Sequence, residues 1–387
     1  MNQSVEVTIL IPCLNEAETL GTCIAKARRG LAVAGAAGEV LIADNGSTDD
    51  SRQIAEESGA RVVPVSAKGY GNALMGGIAA ARGRFVIMGD ADDSYDFLEV
   101  PRFIARLREG ADLAQGCRLP IGGGTVMPGA MPFLHRWWGN PMFSFLARRW
   151  FHAPIHDVYC GMRGFRKEFQ QALNQRCTGM EFATEMILKA SLGRAKIAEV
   201  PITLHPDGRK AHAPHLKTFR DGWRTIRLFL LYSPRWLFLI PGILLGMFGI
   251  CAASLGIFNV RIGPATFDAH TLLFGSLALL LSFQTLVFAL ITKTFAISEG
   301  FLPQDPRLSR FFELMNLEKG LLLGGAAMFV GFCLLASTVW QWKEAGFGSL
   351  PYSQTMRWVI PGATFAAIGF QAILSSFVVS FLGMRRL

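Results

Sequence analysis

The chain has 387 residues, of which 51% are hydrophobic and only 17% are charged, whereas an average soluble domain has about 25% charged residues. This composition argues against a disordered chain, a collagen-like repeat and a purely soluble enzyme. The formal net charge of +9 does not describe a nucleic-acid-binding surface, because residues 1–208 contain 22 basic and 22 acidic residues. We therefore expect a protein that meets a membrane and does not bind nucleic acid.

Residues 1–208 alternate between short apolar runs and helical stretches. The predicted strands are Val7–Ile11, Glu39–Ala43, Arg61–Val65 and Phe85–Met88, and the predicted helices are Glu16–Arg29, Thr48–Ser58 and Gly71–Ala81. This alternation predicts an α/β domain, Rossmann-like, with a mostly parallel, doubly wound sheet. Such sheets bind ligands beyond the carboxyl ends of their strands, so the residues that follow each strand are candidates for a functional site.

Polar residues follow every one of these strands, in the segments Pro12–Glu16, Asp44–Asp49, Ala67–Asn72 and Asp90–Asp93. The carboxylates of the last segment would repel one another, and hard cations such as Mg²⁺ bind such oxygens together with substrate phosphates. The alternative interpretation is a solvated acidic turn that caps the next helix. The dinucleotide motif G-x-G-x-x-G does not follow the first strand and a P-loop motif is absent, which disfavours both of those nucleotide-binding classes.

Residues 209–235 contain seven basic residues and one acidic residue. Lys217, Arg220, Arg224 and Arg227 would share one helical face, and Phe219, Trp223, Ile226 and Leu230 would lie on another. This pattern is typical of a helix that lies in the membrane interface. The basic face would attract either anionic lipid in general or an anionic lipid substrate, and the sequence leaves both open.

Residues 236–387 contain four uncharged runs, each longer than the roughly 20 residues that a helix needs to cross a bilayer. The runs are 236–258, 271–292, 320–342 and 358–384. The segments on the side of the N-terminal domain contain thirteen Lys and Arg residues, against three on the other side. We therefore expect a multi-pass protein of a prokaryotic plasma membrane with its N-terminal domain in the cytoplasm. The four spans are also compatible with a homo-oligomer.

Several segments together resemble glycosyltransferase family 2, and in particular its dolichol-phosphate mannose synthase and polyprenyl-phosphate glucose synthase branch. They are VTILIPCLNEAETL (7–20), EVLIADNGSTDDS (39–51), KGYGNALMGGIAAARGRFVIMGDADDSYDF (68–97), GCRLPIGGG (116–124), DVYCGMRGFRK (157–167) and GMEFATEM (179–186). The resemblance implies a GT-A fold and inverting transfer of a hexose from a nucleotide sugar, with UDP-glucose and GDP-mannose as leading donors. The implied acceptor is a polyprenyl or dolichyl phosphate, and the implied cofactor is Mg²⁺ or Mn²⁺.

The resemblance also implies roles for individual residues. Donor binding would involve Pro12, Asn15, Glu16, Asp44, Lys68, Gly69, Asp90, Arg209 and Lys210, with Asp90 and Asp92 holding the metal. The acceptor phosphate would lie near Arg118, Arg136 and Asn140, and the catalytic set would be Asp92, Asp157, Arg118 and Arg136. Glu181 and Glu185 would be further acidic elements of the site, or carboxylates that orient basic residues. Asn45 departs from the usual D-D-G-S-T-D motif, which leaves the base specificity open.

Three alternative functions are compared with this interpretation. Transfer to a lipid hydroxyl, of the ceramide or diacylglycerol type, would need a general base, and Asp157 is the candidate. A non-catalytic membrane scaffold with a transferase-like domain is disfavoured because Asp90, Asp92 and Arg118 are all present. A processive polysaccharide synthase is disfavoured because the motif Q-x-x-R-W is absent.

Overall fold

The computed structural model describes residues 5–209 and 218–383, without the side chains of Thr218 and Asp221. It divides into two compact units, Met1–Phe229 and Leu230–Leu387. The strands within the described residues are β1 Val7–Cys13, β2 Gly38–Asp44, β3 Arg61–Pro64, β4 Phe85–Met88, β5 Leu113–Cys117, β6 Thr125–Val126, β7 Arg163–Arg166, β8 Ile197–Pro201, β9 Thr203–Leu204, β10 Arg261–Ile262 and β11 Ala265–Thr266. The α-helices are α1 Leu20–Val33, α2 Ser51–Glu57, α3 Tyr70–Ala80, α4 Val100–Arg108, α5 Asn140–Phe151, α6 Lys167–Ala172, α7 Glu181–Leu192, α8 Thr218–Leu231, α9 Ile240–Ile257, α10 Ala269–Ser298, α11 Pro306–Leu314, α12 Leu317–Glu344 and α13 Tyr352–Gly383.

The first unit is built on a sheet whose strand order is β3-β2-β1-β4-β7-β5-β8 among the described residues. β1 pairs in parallel with β2 and β4, and β5 pairs in parallel with β8. β7 runs antiparallel to both of its neighbours, β4 and β5. The predicted α/β class with a mostly parallel sheet is therefore confirmed.

The core of this unit lies between the sheet and the helices that cover it. β1 and β4 are central strands, and their apolar side chains are almost wholly buried, as is typical of parallel strands covered on both faces. Phe85, Phe97, Phe103 and Phe165 are among the largest fully buried side chains. This rigid core fixes the carboxyl ends of β1, β2 and β4, where the candidate residues lie.

Helix α1 begins at Leu20, later than the predicted start at Glu16. Asn15 adopts a positive φ of 60°. The backbone N–H of Glu16 donates to Ser51 Oγ at 2.9 Å, and that of Ala17 donates to Asp49 Oδ2 at 3.1 Å. The N–H groups of Glu16 and Ala17 therefore bind the loop after β2, while the Glu16 carbonyl oxygen accepts from the Leu20 N–H at 3.0 Å in the turn that leads into α1.

The second unit contains helices that are long and apolar enough to cross a membrane, and the described part of the chain has four of them. They span Arg235–Ile257, Ala269–Ser298, Leu317–Glu344 and Tyr352–Gly383. The 30 residues of α10 would extend about 45 Å, more than the roughly 30 Å hydrocarbon core of a bilayer. The prediction of four transmembrane helices is confirmed.

Glycines bring the membrane helices together in pairs. A Cβ atom added at Gly275 of α10 would lie 2.5 Å from the backbone nitrogen of Ala253 in α9. A Cβ atom at Gly331 of α12 would lie 2.4 Å from the backbone nitrogen of Ala366 in α13. Close backbone contact through small residues is how helices pack in lipid, where no hydrophobic force drives them together.

Candidate active site

The loops after β1 and β2 are joined by hydrogen bonds between their polar residues. The side-chain oxygen of Asn15 accepts from the backbone N–H of Thr48 at 2.8 Å, and the backbone N–H of Asn15 donates to Ser47 Oγ at 3.0 Å. Glu16 is only 7% exposed. Pro12 precedes these residues in β1 and pairs with Ala43 of β2. The structure therefore brings together Pro12, Asn15 and Glu16, three of the residues that were predicted for donor binding.

Asp44 ends β2 and is almost fully buried. Its carboxylate accepts from the backbone N–H groups of Gly46 and Ser47, and Arg52 forms an ion pair with it. Burial by itself would raise the pKa of Asp44, but the hydrogen bonds from Ser47 and Arg52 outweigh burial and hold the pKa below its ordinary value. Asp44 is therefore a fixed anion at the edge of the sheet.

Asn45, the departure from the usual motif, organises the segment 65–69. Its amide nitrogen donates to the carbonyl oxygens of Val65 at 3.0 Å and Ala67 at 2.7 Å. Its amide oxygen accepts from the backbone N–H of Gly69 at 2.8 Å, and Lys68 Nζ donates to the Asn45 carbonyl at 2.8 Å. An aspartate could accept from Gly69 but could not donate to the two carbonyls. Asn45 thus fixes Lys68 and Gly69, two of the residues that were predicted for donor binding.

Asp90 and Asp92 follow β4, and their charges act on each other. The Tyr70 hydroxyl donates to Asp90 Oδ1 at 2.8 Å. Burial, and then the neighbouring charge of Asp92, raises the pKa of Asp90 to about 6, although the Tyr70 hydrogen bond acts in the opposite direction. Asp92 Oδ1 accepts from the backbone N–H and the hydroxyl of Ser94 at 3.1 and 2.6 Å. The two carboxylates are therefore held in place and repel each other.

Arg209 lies against these acidic residues. Its Nη1 donates to Glu16 Oε1 at 3.0 Å, its Nη2 donates to Asp92 Oδ2 at 3.2 Å, and its Nε donates to Asp207 Oδ1 at 2.9 Å. We call Glu16, Asp90, Asp92 and Asp207 the carboxylate cluster. Lys210, predicted with Arg209 as a donor-binding residue, lies outside the described residues, as does Lys217 of the predicted basic face.

The residues of the carboxylate cluster fit a divalent cation only in part. Asp90 and Asp92 offer the hard oxygen ligands that Mg²⁺ and Mn²⁺ prefer. A cation would relieve the repulsion by Asp92, which adds to the effect of burial in raising the pKa of Asp90. Within residues 5–209 and 218–383, no group of three or more His, Cys, Asp and Glu side chains is placed to hold a metal ion. A cation here would complete its coordination with water or with phosphate oxygens of a substrate.

A second cluster is centred on Arg118, which follows β5. Asp157 is fully buried, and both of its oxygens accept from Arg118: Oδ2 from Nε at 2.7 Å and Oδ1 from Nη2 at 2.9 Å. The backbone N–H of Arg118 also donates to Oδ2 at 3.0 Å, and Nη1 lies 3.4 Å from the Tyr95 hydroxyl. This bidentate geometry fixes the guanidinium plane, and it makes Asp157 an anchor for Arg118.

Tyr95 and Gly161 place the two clusters side by side. The Tyr95 hydroxyl accepts from the backbone N–H of Gly161 at 2.8 Å. A Cβ atom added at Gly161 would lie 2.8 Å from Asp90 Oδ2 and 3.1 Å from the Tyr95 oxygen. A side chain at this position would therefore collide with both clusters, and glycine allows Asp90 and Arg118 to share one site.

Arg136 lies in the turn before α5, and Asn140 is the first residue of α5. The turn His135–Gly139 is π-helical and leads directly into α5. Burial, and then the positive charge of Arg118, lowers the pKa of His135. Helix α5 contacts the segment that bears Asp157, because Ser144 Oγ accepts from the Val158 N–H at 3.1 Å. Arg136 contacts the ring of Trp137 with a distance of 5.5 Å to the centroid, and the buried Asn140 amide donates to Met131 Sδ at 3.2 Å.

The same turn and helix expose a set of large apolar side chains that we call the aromatic patch. Its members are Phe133, Leu134, Trp137, Trp138, Met142 and Phe145, which are 44–71% exposed. In the same unit, α8 exposes Phe219 (88%) and Trp223 (63%), and Glu181 forms an ion pair with Arg224 of this helix. Exposed apolar groups of this extent mark an interaction surface, and Trp and Phe beside Arg are typical of a membrane interface.

Sequence reasoning missed several residues that build the site. Tyr70 and Tyr95 lie inside the quoted motifs, but only the fold brings their hydroxyl groups to Asp90 and Arg118. Arg163 is fully buried and donates to the carbonyl oxygens of Ala183 at 2.6 Å and Cys160 at 2.5 Å. Local sequence patterns could not predict these contacts, because most of the partners are 20 or more residues apart in the chain. Their distance in space depends on how the sheet is assembled.

Glu185 stabilises a segment that packs against the loop at residues 68 and 69. It is fully buried in α7, pairs with Lys189 at 3.2 Å and accepts from the backbone N–H groups of Arg176 and Cys177 at 2.9 and 2.8 Å. The segment that it holds packs against Gly69, where an added Cβ atom would lie 2.6 Å from the Thr178 carbonyl oxygen. Glu185 therefore supports the loop at residues 68 and 69 from behind.

Comparisons with known proteins agree with this architecture. The family model "Glycosyl transferase family 2" matches residues 8–173, and the model "Glycosyltransferase family 2 C-terminal transmembrane region" matches residues 290–383. The low-salt glycan biosynthesis hexosyltransferase Agl6 of Haloferax volcanii is 35% identical over 379 residues, which is 97% of this chain and 89% of the relative. The dolichyl-phosphate hexose transferase of the same organism is 30% identical over 218 residues, which is 56% of this chain and 89% of that relative.

A solved structure is also similar to part of this chain. The glucosyl-3-phosphoglycerate synthase of Mycobacterium tuberculosis, in complex with Mn²⁺, UDP and glucosyl-3-phosphoglycerate, is 21% identical, with a TM-score of 0.46 over 58% of this chain and 79% of that chain. The matches to the two family models and to a relative along nearly the full length agree with the predicted GT-A domain followed by four membrane helices. The chain is an integral membrane glycosyltransferase and belongs to glycosyltransferase family 2.

Proposed function

We propose that this glycosyltransferase transfers a hexose from a nucleotide sugar, with UDP-glucose and GDP-mannose as leading donors, to the phosphate of a polyprenyl or dolichyl lipid. The observation that carries the proposal is the buried Arg118, fixed by Asp157, whose neighbour Val158 contacts the helix α5 that follows the turn with Arg136 and bears part of the aromatic patch. An arginine fork suits a phosphate, and an exposed aromatic surface suits the lipid that carries it. The dolichyl-phosphate hexose transferase among the relatives supports the same acceptor class.

The proposed chemistry needs no general base. A phosphate monoester has a second pKa near 6 and is largely a dianion at pH 7, so its oxygen is already a nucleophile. It attacks the anomeric carbon on the face opposite to the nucleotide, the new C–O bond forms as the bond to the diphosphate breaks, and the configuration inverts. Asp157 has both oxygens bound to Arg118, so we assign it to positioning that arginine and not to proton abstraction.

The donor would lie across the edge of the sheet. Asn15, Glu16 and Asp44 would face the nucleoside, and Lys68 and Gly69, fixed by Asn45, would lie near the phosphates. Asp90 and Asp92 would hold Mg²⁺ or Mn²⁺, which when bound neutralises charge on the leaving nucleoside diphosphate. Near-normal turnover of Asp92→Ala at saturating metal would count against this assignment.

We also propose that the first unit faces the cytoplasm. The thirteen basic residues on its side of the spans, against three on the other, support this orientation. The aromatic patch and the exposed Phe219 and Trp223 of α8 would then lie at the inner surface of the membrane, where the phosphate of a lipid acceptor is found.

The experiment is a transfer assay with the full-length protein in detergent. Undecaprenyl or dolichyl phosphate, Mg²⁺ or Mn²⁺ and a panel of labelled nucleotide sugars are supplied, and the lipid product is identified by mass spectrometry and its anomeric configuration by NMR. The matched control replaces undecaprenyl phosphate with undecaprenol, which keeps the chain and removes the phosphate. We expect product from the phosphate alone, and Arg118→Gln should lose it. Product from undecaprenol, ceramide or diacylglycerol would favour a hydroxyl acceptor and contradict the proposal.

A further inference from the structure

The carboxylate cluster already contains a cation that the chain itself supplies. The Arg209 side chain is only 9% exposed and forms ion pairs with three acidic residues, at 3.0 Å to Glu16 and 3.2 Å to Asp92, and in closest contact with Asp207. A guanidinium group that is nine-tenths buried among carboxylates is fully compensated in charge. The Arg209 guanidinium is therefore a buried ion-pair partner of the carboxylate cluster and not an exposed surface group.

The backbone around Arg209 holds it at this position. The Gly208 N–H donates to the Asp92 carbonyl oxygen at 2.9 Å, and the His205 N–H donates to the Ser94 carbonyl oxygen at 2.9 Å. Residues 205–208 thus run beside the loop at residues 92–94. Asp207 fixes the side chain further, because it accepts both from the Arg209 backbone N–H and from Nε at 2.9 Å.

Arg209 contacts Oδ2 of Asp92, which is the oxygen that a divalent cation would also need. Asp92 Oδ1 is already bound twice by Ser94, whereas Oδ2 faces Arg209. A divalent cation bound at Oδ2 would lie within a few ångströms of the guanidinium charge, and like charges at such a distance repel strongly in a partly buried site. The guanidinium and the divalent cation therefore compete for the same oxygen.

We propose that Arg209 is the resident counter-ion of Asp92, and that Arg209 and a divalent cation exclude each other there until a diphosphate arrives. The diphosphate gives the guanidinium a new anionic partner, so Arg209 leaves Asp92 as the cation binds. Cation and nucleoside diphosphate then bind cooperatively, and neither binds well alone. The inference rests on the donor and cation site of the proposed function, but not on the identity of the acceptor.

The test measures binding and not turnover. The full-length protein in detergent is titrated with Mn²⁺, and free Mn²⁺ is followed by its EPR signal, first alone and then with UDP, GDP or inorganic pyrophosphate. We expect Arg209→Gln to bind Mn²⁺ alone about tenfold more tightly than the wild type, and to bind diphosphate in the presence of Mn²⁺ about tenfold more weakly, in the range of ordinary coupling between sites. A merely structural role would weaken both ligands together.

Lys26 supplies the matched control. It pairs with Asp93 at 2.8 Å, and Asp93 is the neighbour of Asp92 on the same acidic loop. Lys26→Gln removes one positive charge of α1 that pairs with this loop. It should change Mn²⁺ affinity by less than about twofold, because an ion pair with this much exposure is weak. If Lys26→Gln and Arg209→Gln raise the affinity equally, the effect is general electrostatics and the proposal is wrong.

A conservative variant covers the case in which Arg209→Gln does not fold, as judged by circular dichroism and gel filtration. Arg209→Lys keeps the charge but loses the fork that reaches Glu16 and Asp92 together, and it should raise Mn²⁺ affinity by a smaller factor. Equal Mn²⁺ affinity in the wild type and the folded variants would overturn the proposal. Absence of Mn²⁺ binding even with diphosphate would overturn it as well, and the separate transfer assay would then decide whether the lipid-phosphate reaction stands.

Discussion

Asp90 should make the ligand-free protein less stable, and removing its charge should stabilise the fold. Its pKa is raised to about 6 in the folded protein, from an ordinary value of 3.8. A difference of about 2 units corresponds to about 3 kcal/mol at a pH above both values. Because Asp90 keeps some exposure to solvent, we halve this figure and expect about 1.5 kcal/mol for Asp90→Asn at pH 7.5, or about 3–6 °C in the melting temperature of a unit of this size.

The sign of the pH dependence follows from the direction of the shift. A carboxyl whose pKa is raised on folding binds more protons in the folded state, so the wild type gains stability as the pH falls from above 6 towards 4. The amide that Asp90→Asn introduces would carry no charge at any pH, and its side-chain oxygen would still accept from Tyr70. The advantage of Asp90→Asn over the wild type should therefore shrink through this pH range.

The assay is thermal unfolding of the full-length protein in detergent with EDTA, at pH 7.5, 6.0 and 5.0. Glu109→Gln is the matched control, because Glu109 is an exposed carboxyl whose side chain is 60% accessible. We expect no pH-dependent gain from it. A melting temperature of Asp90→Asn at or below that of the wild type at pH 7.5, or an equal gain at pH 5.0, would refute the reasoning.

Three further predictions concern other parts of the molecule. Asp157→Asn leaves the buried Arg118 without its anion and should cost about 3–5 kcal/mol of stability, measured as a lower melting temperature. Asp157→Asn combined with Arg118→Gln should recover stability but not transfer activity. If the double variant does not recover stability, the pairing is contradicted. Asn45→Asp removes the two N–H donors that bind the carbonyl oxygens of Val65 and Ala67. We expect about tenfold weaker binding of nucleoside diphosphate by calorimetry, from about 1.4 kcal/mol of lost hydrogen bonding. Unchanged affinity would exclude this role for Asn45. Gly331→Ala should separate α12 from α13 and lower the melting temperature. Gly325→Ala should leave the melting temperature unchanged, because an added Cβ atom at Gly325 meets nothing within 4 Å. Equal effects of the two substitutions would argue against packing through Gly331.

Local sequence patterns were enough to predict the α/β class, the strands at the centre of the sheet and the four membrane helices. Each of these depends on periodicity or length, which neighbouring residues carry. The antiparallel β7 was not predicted, because its direction depends on which strands it joins.

The contacts within the site were also beyond local patterns. Asp157 lies 39 residues from Arg118, and Arg209 lies 117 residues from Asp92. The sequence identified these residues through the resemblance, but it did not reveal that Arg118 and Asp157 satisfy each other, or that Asn45 serves the loop at Gly69. Such pairings arise only when the sheet brings distant loops to one edge.

The antiparallel pairing of β5 and β7 has a consequence for how this enzyme could diversify. The chain leaves the sheet after Cys117 and returns at Arg163, and Gln115 is paired with Arg163 across the two strands. The excursion between them contains Arg118, Arg136, Asn140 and Asp157, and its two ends are neighbours. When the two ends of a segment are adjacent and fixed in the sheet, the segment can change in length or be replaced as a unit. The entropic cost of closing the loop changes only slightly with its length. Under the proposed assignment of the acceptor residues, transplanting residues 118–162 between relatives should therefore exchange the acceptor and leave the proposed donor site unchanged.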